Sequence, residues 1–232
     1  MRALLIIALF GFALAGSAQT KVAFLPCEDV LFLSDVTDEF SRESGLSPVE
    51  VRETVRHGVC EAARDVAPMG FKGYSLSVLP DSVAQKVERR LYQSLVRTYK
   101  QADKHDKLAE EHNADVDSTH ADTSGTRYLD LAPKYLSAEI IDPGFIYVLD
   151  AALGCDRYVT INQLDIVTFK AMFPGQPAER WVRAHFTVFD KSGKVLEGGL
   201  ARASIHPDVH TPAELLSETA PELMAFIWRN IH

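Results

Sequence analysis

Residues 149–169, LDAALGCDRYVTINQLDIVTF, and residues 180–205, RWVRAHFTVFDKSGKVLEGGLARASI, decide the fold. They read as the end of a helix, a tight turn at Gly154 and three long strands in succession. The middle strand alternates, with Val182, Ala184, Phe186 and Val188 on one face and Trp181, Arg183, His185 and Thr187 on the other. A period of two predicts one buried and one wet face. Asp190, Lys191, Ser192 and Gly193 form a short turn in which glycine supplies the positive φ, so the second and third strands make an antiparallel hairpin. The first strand changes phase: Val159 and Ile161 share one face, Leu164 and Ile166 the other. A bulge near Asn162 or Gln163 reconciles the two halves. The competing reading is that Asn162, Gln163 and Asp165 line a polar site.

Upstream, Lys21 to Pro26 (KVAFLP) is a short apolar run ended by proline, as suits a strand in the middle of a sheet. A solvated acidic loop with Asp29, Asp35, Asp38 and Glu39 follows. Ser47, Pro48 and Glu50 give an N-cap, an N1 proline and a capping box, and Val51, Val55, Val59 and Ala63 recur every four residues down one helix face. Tyr74 to Leu79 reads as a second strand. Val83, Val87, Leu91, Leu95 and Tyr99 read as the stripe of one long helix, with Lys86, Arg89, Arg90 and Arg97 on its solvated faces.

From about 104 to 126 the composition turns to Asp, Glu, Lys, Ser and Thr, too polar to offset the entropy of ordering, so a polar insertion is expected at about 104–141, of which Leu129 to Ile141 packs back on the domain without an assigned element. Its histidines, His105, His112 and His120, read as solvated. Asp142 and Pro143 open a helix with an apolar face of Phe145, Ile146, Leu149 and Leu153, and Gly154 ends it. Past the hairpin, His206 to His210 is a turn. His206 and His210, four apart, would converge on a metal if helical, and Pro207 between them argues for a loop. Thr211, Pro212 and Glu214 cap a last helix in which Pro221 marks a kink or restart and Leu223, Phe226, Ile227 and Ile231 point inward.

At the amino terminus, Met1 and Arg2 precede an apolar run from Ala3 to Ala15 and the small residues Gly16, Ser17 and Ala18. This is the pattern of a signal peptide cleaved after Ala18, leaving residues 19–232 as one α/β domain. Ser17 stands where a lipidated cysteine would be, so a periplasmic or secreted protein without a lipid anchor is expected. The net charge of −8 makes the chain a poor candidate for sequence-independent nucleic-acid binding, which depends on clustered Lys and Arg. Cys27, Cys60 and Cys155 allow three disulfide pairings, or none.

AALGCDRYV, at Ala151 to Val159, resembles the strand entry of the TolB amino-terminal domain and of related envelope proteins, including curli-secretion lipoproteins and a lipoprotein activator of peptidoglycan synthases. FTVFDKSGKVL, at Phe186 to Leu196, is similar to their hairpin, and the order of elements matches over nearly the whole mature chain. Arg157, the extra region from Lys104 to Ile141 and the missing lipid-bearing cysteine depart from the pattern. The resemblance implies an envelope compartment and a non-enzymatic role in protein binding or outer-membrane biogenesis.

The expected fold is therefore α/β (α+β): a mixed sheet of about five strands, helices on one face, the first three strands parallel and the hairpin antiparallel at the edge. No catalytic residue and no cofactor are expected, since neither a G-x-S-x-G elbow, an H-E-x-x-H helix nor a phosphate-binding glycine loop occurs. The interface candidates are Trp181, Arg183, His185 and Trp228, aromatic or charged residues of wet faces. The expected function is a protein-binding or assembly module of the envelope, possible partners being envelope proteins, with peripheral membrane association and no nucleic acid. The alternative is a metal- or small-ligand-binding protein or hydrolase built on His185, His206 or His210.

Overall fold

The computed structural model describes residues 19–101, 134–169 and 179–231. The leader and the histidines at 105, 112 and 120 lie outside them. The main sheet contains β1 (Thr20–Leu25), β2 (Phe32–Ser34), β3 (Phe71–Ser75), β6 (Arg157–Phe169), β7 (Glu179–Asp190) and β8 (Val195–Ile205). A separate ribbon pairs β4 (Leu95–Gln101) with β5 (Lys134–Ile140). The helices are α1 (Thr37–Ser44), α2 (Pro48–Asp65), α3 (Asp81–Ser94), α4 (Pro143–Leu153) and α5 (Pro212–Arg229).

The sheet runs β3-β1-β6-β7-β8, with β1 parallel to both neighbours and the last three strands antiparallel. The mixed α/β class and the hairpin are as expected. The first strand also lies in mid-sheet, which is why it reads as an unbroken apolar run. Val22 and Phe24 belong to one core, Ala23 and Leu25 to another on the opposite face. Helices therefore cover both faces of the sheet, where one covered face was expected. One core is closed by α2 and α5, through Val51, Val55, Val59, Leu215, Leu223 and Ile227. The other is closed by α3, α4 and the ribbon, through Val87, Leu91, Phe145, Leu149 and Ala138. A chain of this length has enough apolar side chains to cover both faces of a central parallel strand, and leaving either bare would expose it to water.

The capping boxes form at Ser47/Glu50 and Thr211/Glu214. α4 runs from its Asp142 cap to Gly154. Gly193 takes a φ of 84° in the hairpin turn, where its amide donates to the Asp190 carbonyl. The register between β6 and β7 shifts between Ile161 and Gln163, the bulge that the phase change foretold. Pro221 lies inside a continuous α5.

Three local expectations are overturned by long-range packing, and one segment left unassigned is resolved. The acidic loop contains a short strand, β2, and a helix, α1, whose Phe40 is buried. The strand expected at Tyr74–Leu79 is β3, which starts at Phe71 and gives way to a 3-10 turn at Leu76–Val78. The helix expected to reach Tyr99 stops at Ser94, because Leu95, Arg97 and Tyr99 also fit a period of two and β5 pairs with all seven residues of β4. Residues 134–140, within the segment expected to pack back on the domain, are β5, with Leu136, Ser137 and Ala138 buried.

β3 approaches α2 closely at Gly73. A methyl group there would stand 2.9 Å from the Ala63 carbonyl oxygen and 3.1 Å from Arg64 Cα, both backbone atoms. Gly73→Ala is expected to cost about 1–3 kcal/mol, read as a lowered urea midpoint with an unchanged slope.

Candidate functional site

The polar face of β7 is not wet. β5 lies across it, and both elements present groups that must be satisfied where they meet. One edge of β5 pairs with β4; the other turns its backbone toward the main sheet with no strand to receive it. Side chains of β6 and β7 take that role. Leu136 N–H donates to His185 Nδ1 at 2.8 Å, and Ala138 N–H donates to Thr187 Oγ1 at 3.0 Å. Asn162, at the bulge, donates from Nδ2 to the Leu136 carbonyl and to Thr187 Oγ1, each at 2.8 Å, while its Oδ1 accepts from Thr160 Oγ1. Asn162, Thr160, Thr187 and His185 are all buried.

These contacts fix the histidine tautomer. Nδ1 accepts, so the neutral ring carries its proton on Nε2, which faces Asp165 Oδ2 at 3.4 Å. Asp165 is buried and also accepts from Gln163 Nε2 at 2.7 Å and Arg183 Nη2 at 2.9 Å. Gln163 in turn accepts from Tyr99 Oη of the ribbon. Burial by itself raises the Asp165 pKa, and hydrogen bonds from His185 and Gln163 together with the Arg183 charge outweigh it, holding the carboxyl below its ordinary 3.8.

Two expected outcomes follow. His185→Ala should speed hydrogen exchange at the Leu136 amide more than at the Ala138 amide, which keeps its Thr187 acceptor; equal acceleration would mean the ribbon is released as a unit. The second concerns acid. With its folded pKa depressed, Asp165 stabilises the protein fully above about pH 4, and that contribution is lost as pH falls through the folded pKa. The difference in urea midpoint between wild type and Asp165→Asn should therefore be constant between pH 5 and 7 and shrink steadily as pH falls below about 4.

A buried His–Asp pair invites a catalytic reading. General-base work needs a ring nitrogen facing the substrate and a nucleophile beside it. In His185 one nitrogen is held by a backbone amide and the other faces Asp165. Its chemistry is to join two sheets.

The remaining sequence candidates are scattered. Trp228, expected on a wet face, is 4% exposed and packs edge-on against Phe24 and Phe71. It is core because α5 turns it onto β1 and β3. His185 is likewise buried, under the ribbon, which no local pattern announces, and Arg183 is half-buried against Asp165. Trp181 is half-buried at the far end of β7. His210 Nδ1 lies 2.9 Å from Glu39, which also takes a two-pronged contact from Arg180. His206 instead faces Asp208. The two histidines do not converge, and among the described residues no group of three or more His, Cys, Asp or Glu could hold a metal. Cys27, Cys60 and Cys155 are free and buried, and burial pushes Cys27 and Cys155 up to about 12. Among the described residues no helix is long and apolar enough to cross a membrane.

Sequence reasoning missed one surface. β2 pairs with β6 beyond the end of β1, on the same side of β6, and β3 does not extend far enough to cover it. Its outer edge borders a cleft of about 420 Å³ lined by Phe32, Leu33, Ser34, Thr37, Pro48 and Arg52 among others. Val30, Leu33 and Val49 in this region are 71%, 49% and 61% exposed. Only the apolar Val30-Leu31-Phe32-Leu33 run inside the acidic segment hinted at a strand there.

No protein-family model and no curated protein matches the chain. Among solved structures it is similar to lipoprotein GNA1162 from Neisseria meningitidis, at 11% identity over 85% of this chain and 93% of that one, with a TM-score of 0.32. It is also similar to hypothetical protein CT253 from Chlamydia trachomatis, at 15% identity over 91% and 96%, with a TM-score of 0.31.

Proposed function

We propose that this chain is a non-enzymatic protein of the bacterial envelope, exported to the periplasm or secreted, that acts by binding another envelope protein. The observation that carries the reading is a contrast between interior and surface. The one buried acid–base pair at the sheet junction is spent on structure: His185 is held at both nitrogens and Asp165 accepts at both oxygens. Apolar Leu33, by contrast, stands half in water in the lining of the β2 cleft, and Val30 and Val49, close in sequence to lining residues, are exposed as well. Solvated apolar groups at and beside a concave edge favour association, since covering them removes apolar area from water. The export-type leader and the resemblance to TolB-like envelope domains support the compartment.

Crosslinking in intact cells followed by affinity capture of the tagged protein tests the reading. One dominant envelope protein is expected at near-stoichiometric yield. A protein that stays monomeric and alone under crosslinking would overturn it.

A further inference from the structure

We propose that the open edge of β2 receives an extended segment of the partner protein, which adds to the sheet as a strand beside β2. This rests on the protein-binding reading above and names the surface and the kind of ligand.

The backbone geometry determines what fits. β2 pairs in parallel with β6 in the register Phe32 to Leu164, Leu33 to Asp165 and Ser34 to Ile166, and the Asp35 amide donates to the Ile166 carbonyl. Strand groups alternate sides, so the N–H and C=O of Leu33 face β6 as well. Those of Ser34, and the carbonyl of Phe32, face the other way, toward the cleft. The Phe32 amide is already spent on Asp29 at the end of the preceding 3-10 turn. A donor and two acceptors at strand spacing are satisfied together by another extended backbone, which a small molecule does not reproduce.

The side chains narrow the occupant further. Leu33 points to the face opposite the buried Phe32 and is half in water, with Val30 nearby in sequence and more exposed. An added strand covers them with apolar residues at alternate positions. The acidic residues of the cleft are Asp35, which accepts from the Thr168 amide and hydroxyl but keeps its charge, and Asp38, while the one cation of the lining, Arg52, is drawn to Asp29 at 3.4 Å. A basic residue flanking the apolar ones therefore fits, and an acidic one is repelled. β2 is three residues long, so the strand contributes few backbone hydrogen bonds and the side-chain contacts set the affinity.

The test selects from a phage-displayed library of random dodecapeptides against the whole protein, then titrates the chosen peptide in solution by fluorescence anisotropy. Enrichment of peptides with alternating apolar residues and a flanking Lys or Arg is expected. Ser34→Pro removes the outward N–H without touching a bond to β6, and should weaken binding about ten-fold or more. Ser34→Ala keeps that N–H and should bind within about two-fold of wild type, which separates the amide from the hydroxyl that accepts from Val36. Leu33→Asp should weaken binding as strongly, and Leu196→Asp, on β8, should not. Thermal melts of each variant establish that it is folded.

Absence of any enriched peptide, or enriched peptides indifferent to Ser34→Pro and Leu33→Asp, overturns the strand-addition proposal. The cellular experiment keeps the two readings apart. A partner captured equally well by wild type and Leu33→Asp leaves the protein-binding function standing and sinks this surface, whereas no partner with either protein sinks both.

Discussion

Trp228→Ala is expected to lower the unfolding free energy by about 3–5 kcal/mol, a third or more of the stability of an ordinary domain. The indole lies edge-on to Phe24 at 5.0 Å and to Phe71 at 5.6 Å, so its removal opens a cavity bounded by β1, β3 and α5. A second loss is polar. The Ala63 carbonyl is one of the last four of α2, which have no partner within the helix, and Trp228 Nε1 donates to it at 3.1 Å. Trp228→Phe separates the contributions: it keeps most of the ring and drops the N–H, and about 1 kcal/mol of the loss should remain. If alanine and phenylalanine cost the same, packing is not what Trp228 supplies. Urea unfolding followed by circular dichroism reads both variants, since the Trp181 signal alone would not report on this core.

Arg56→Met is expected to cost about 3–5 kcal/mol, as when one partner is removed from a buried ion pair. Arg56 is 3% exposed and projects from α2 past the carboxyl end of β1. Its Nε and Nη2 both donate to the Cys27 carbonyl, at 2.8 and 2.5 Å, and Nη2 also reaches Glu88 and Tyr92 of α3. Tyr92 donates its one hydroxyl hydrogen to Glu88, and its oxygen also lies 2.9 Å from the Cys27 carbonyl. Burial alone would lower the guanidinium pKa, and the surrounding Tyr92, Cys27, Glu53 and Glu88 push it above its ordinary value instead, so the side chain is a cation under all folding conditions. This one residue ties the helix layer on one face of the sheet to the layer on the other. Methionine matches its volume but leaves Glu88 charged, largely covered and without the guanidinium, its nearest cation. The double variant Arg56→Met with Glu88→Leu should recover part of the loss, because the stranded charge goes with its partner. Equal stability of the single and double variants would mean that the cost comes from the Cys27 carbonyl and not from Glu88.

The fold and the site differ in how far they can be read from local sequence. Capping boxes, a proline at N1 and a glycine after a helix act within four residues, so Ser47, Thr211, Asp142 and Gly154 mark their helix ends correctly. The period of two in β7 assigns Val182, Ala184, Phe186 and Val188 to one face, and the phase change at Asn162 locates the bulge. Both are properties of a single strand. The same reading places His185 and Thr187 in water, because a polar side chain looks alike to the sequence whether it meets solvent or a neighbouring backbone edge. Asn162, Gln163 and Asp165 stood out as polar residues in an apolar strand, which is the signal for a buried network, but nothing near them names Leu136 and Ala138 as what they hold.

Local chemistry by itself determined the helix ends, the hairpin, the mid-sheet position of β1 and the mixed α/β class, because each follows from periodicity, turn residues or a run of apolar side chains. Tertiary structure alone decided that the second face is covered, that Trp228 is core, that β4 is a strand and that β2 exists with an open edge. Each of those depends on pairing between segments tens of residues apart. A backbone edge or an apolar face carries no mark in the sequence of which distant segment will meet it, and burial and hydrogen-bond satisfaction choose that segment only once the whole chain has folded.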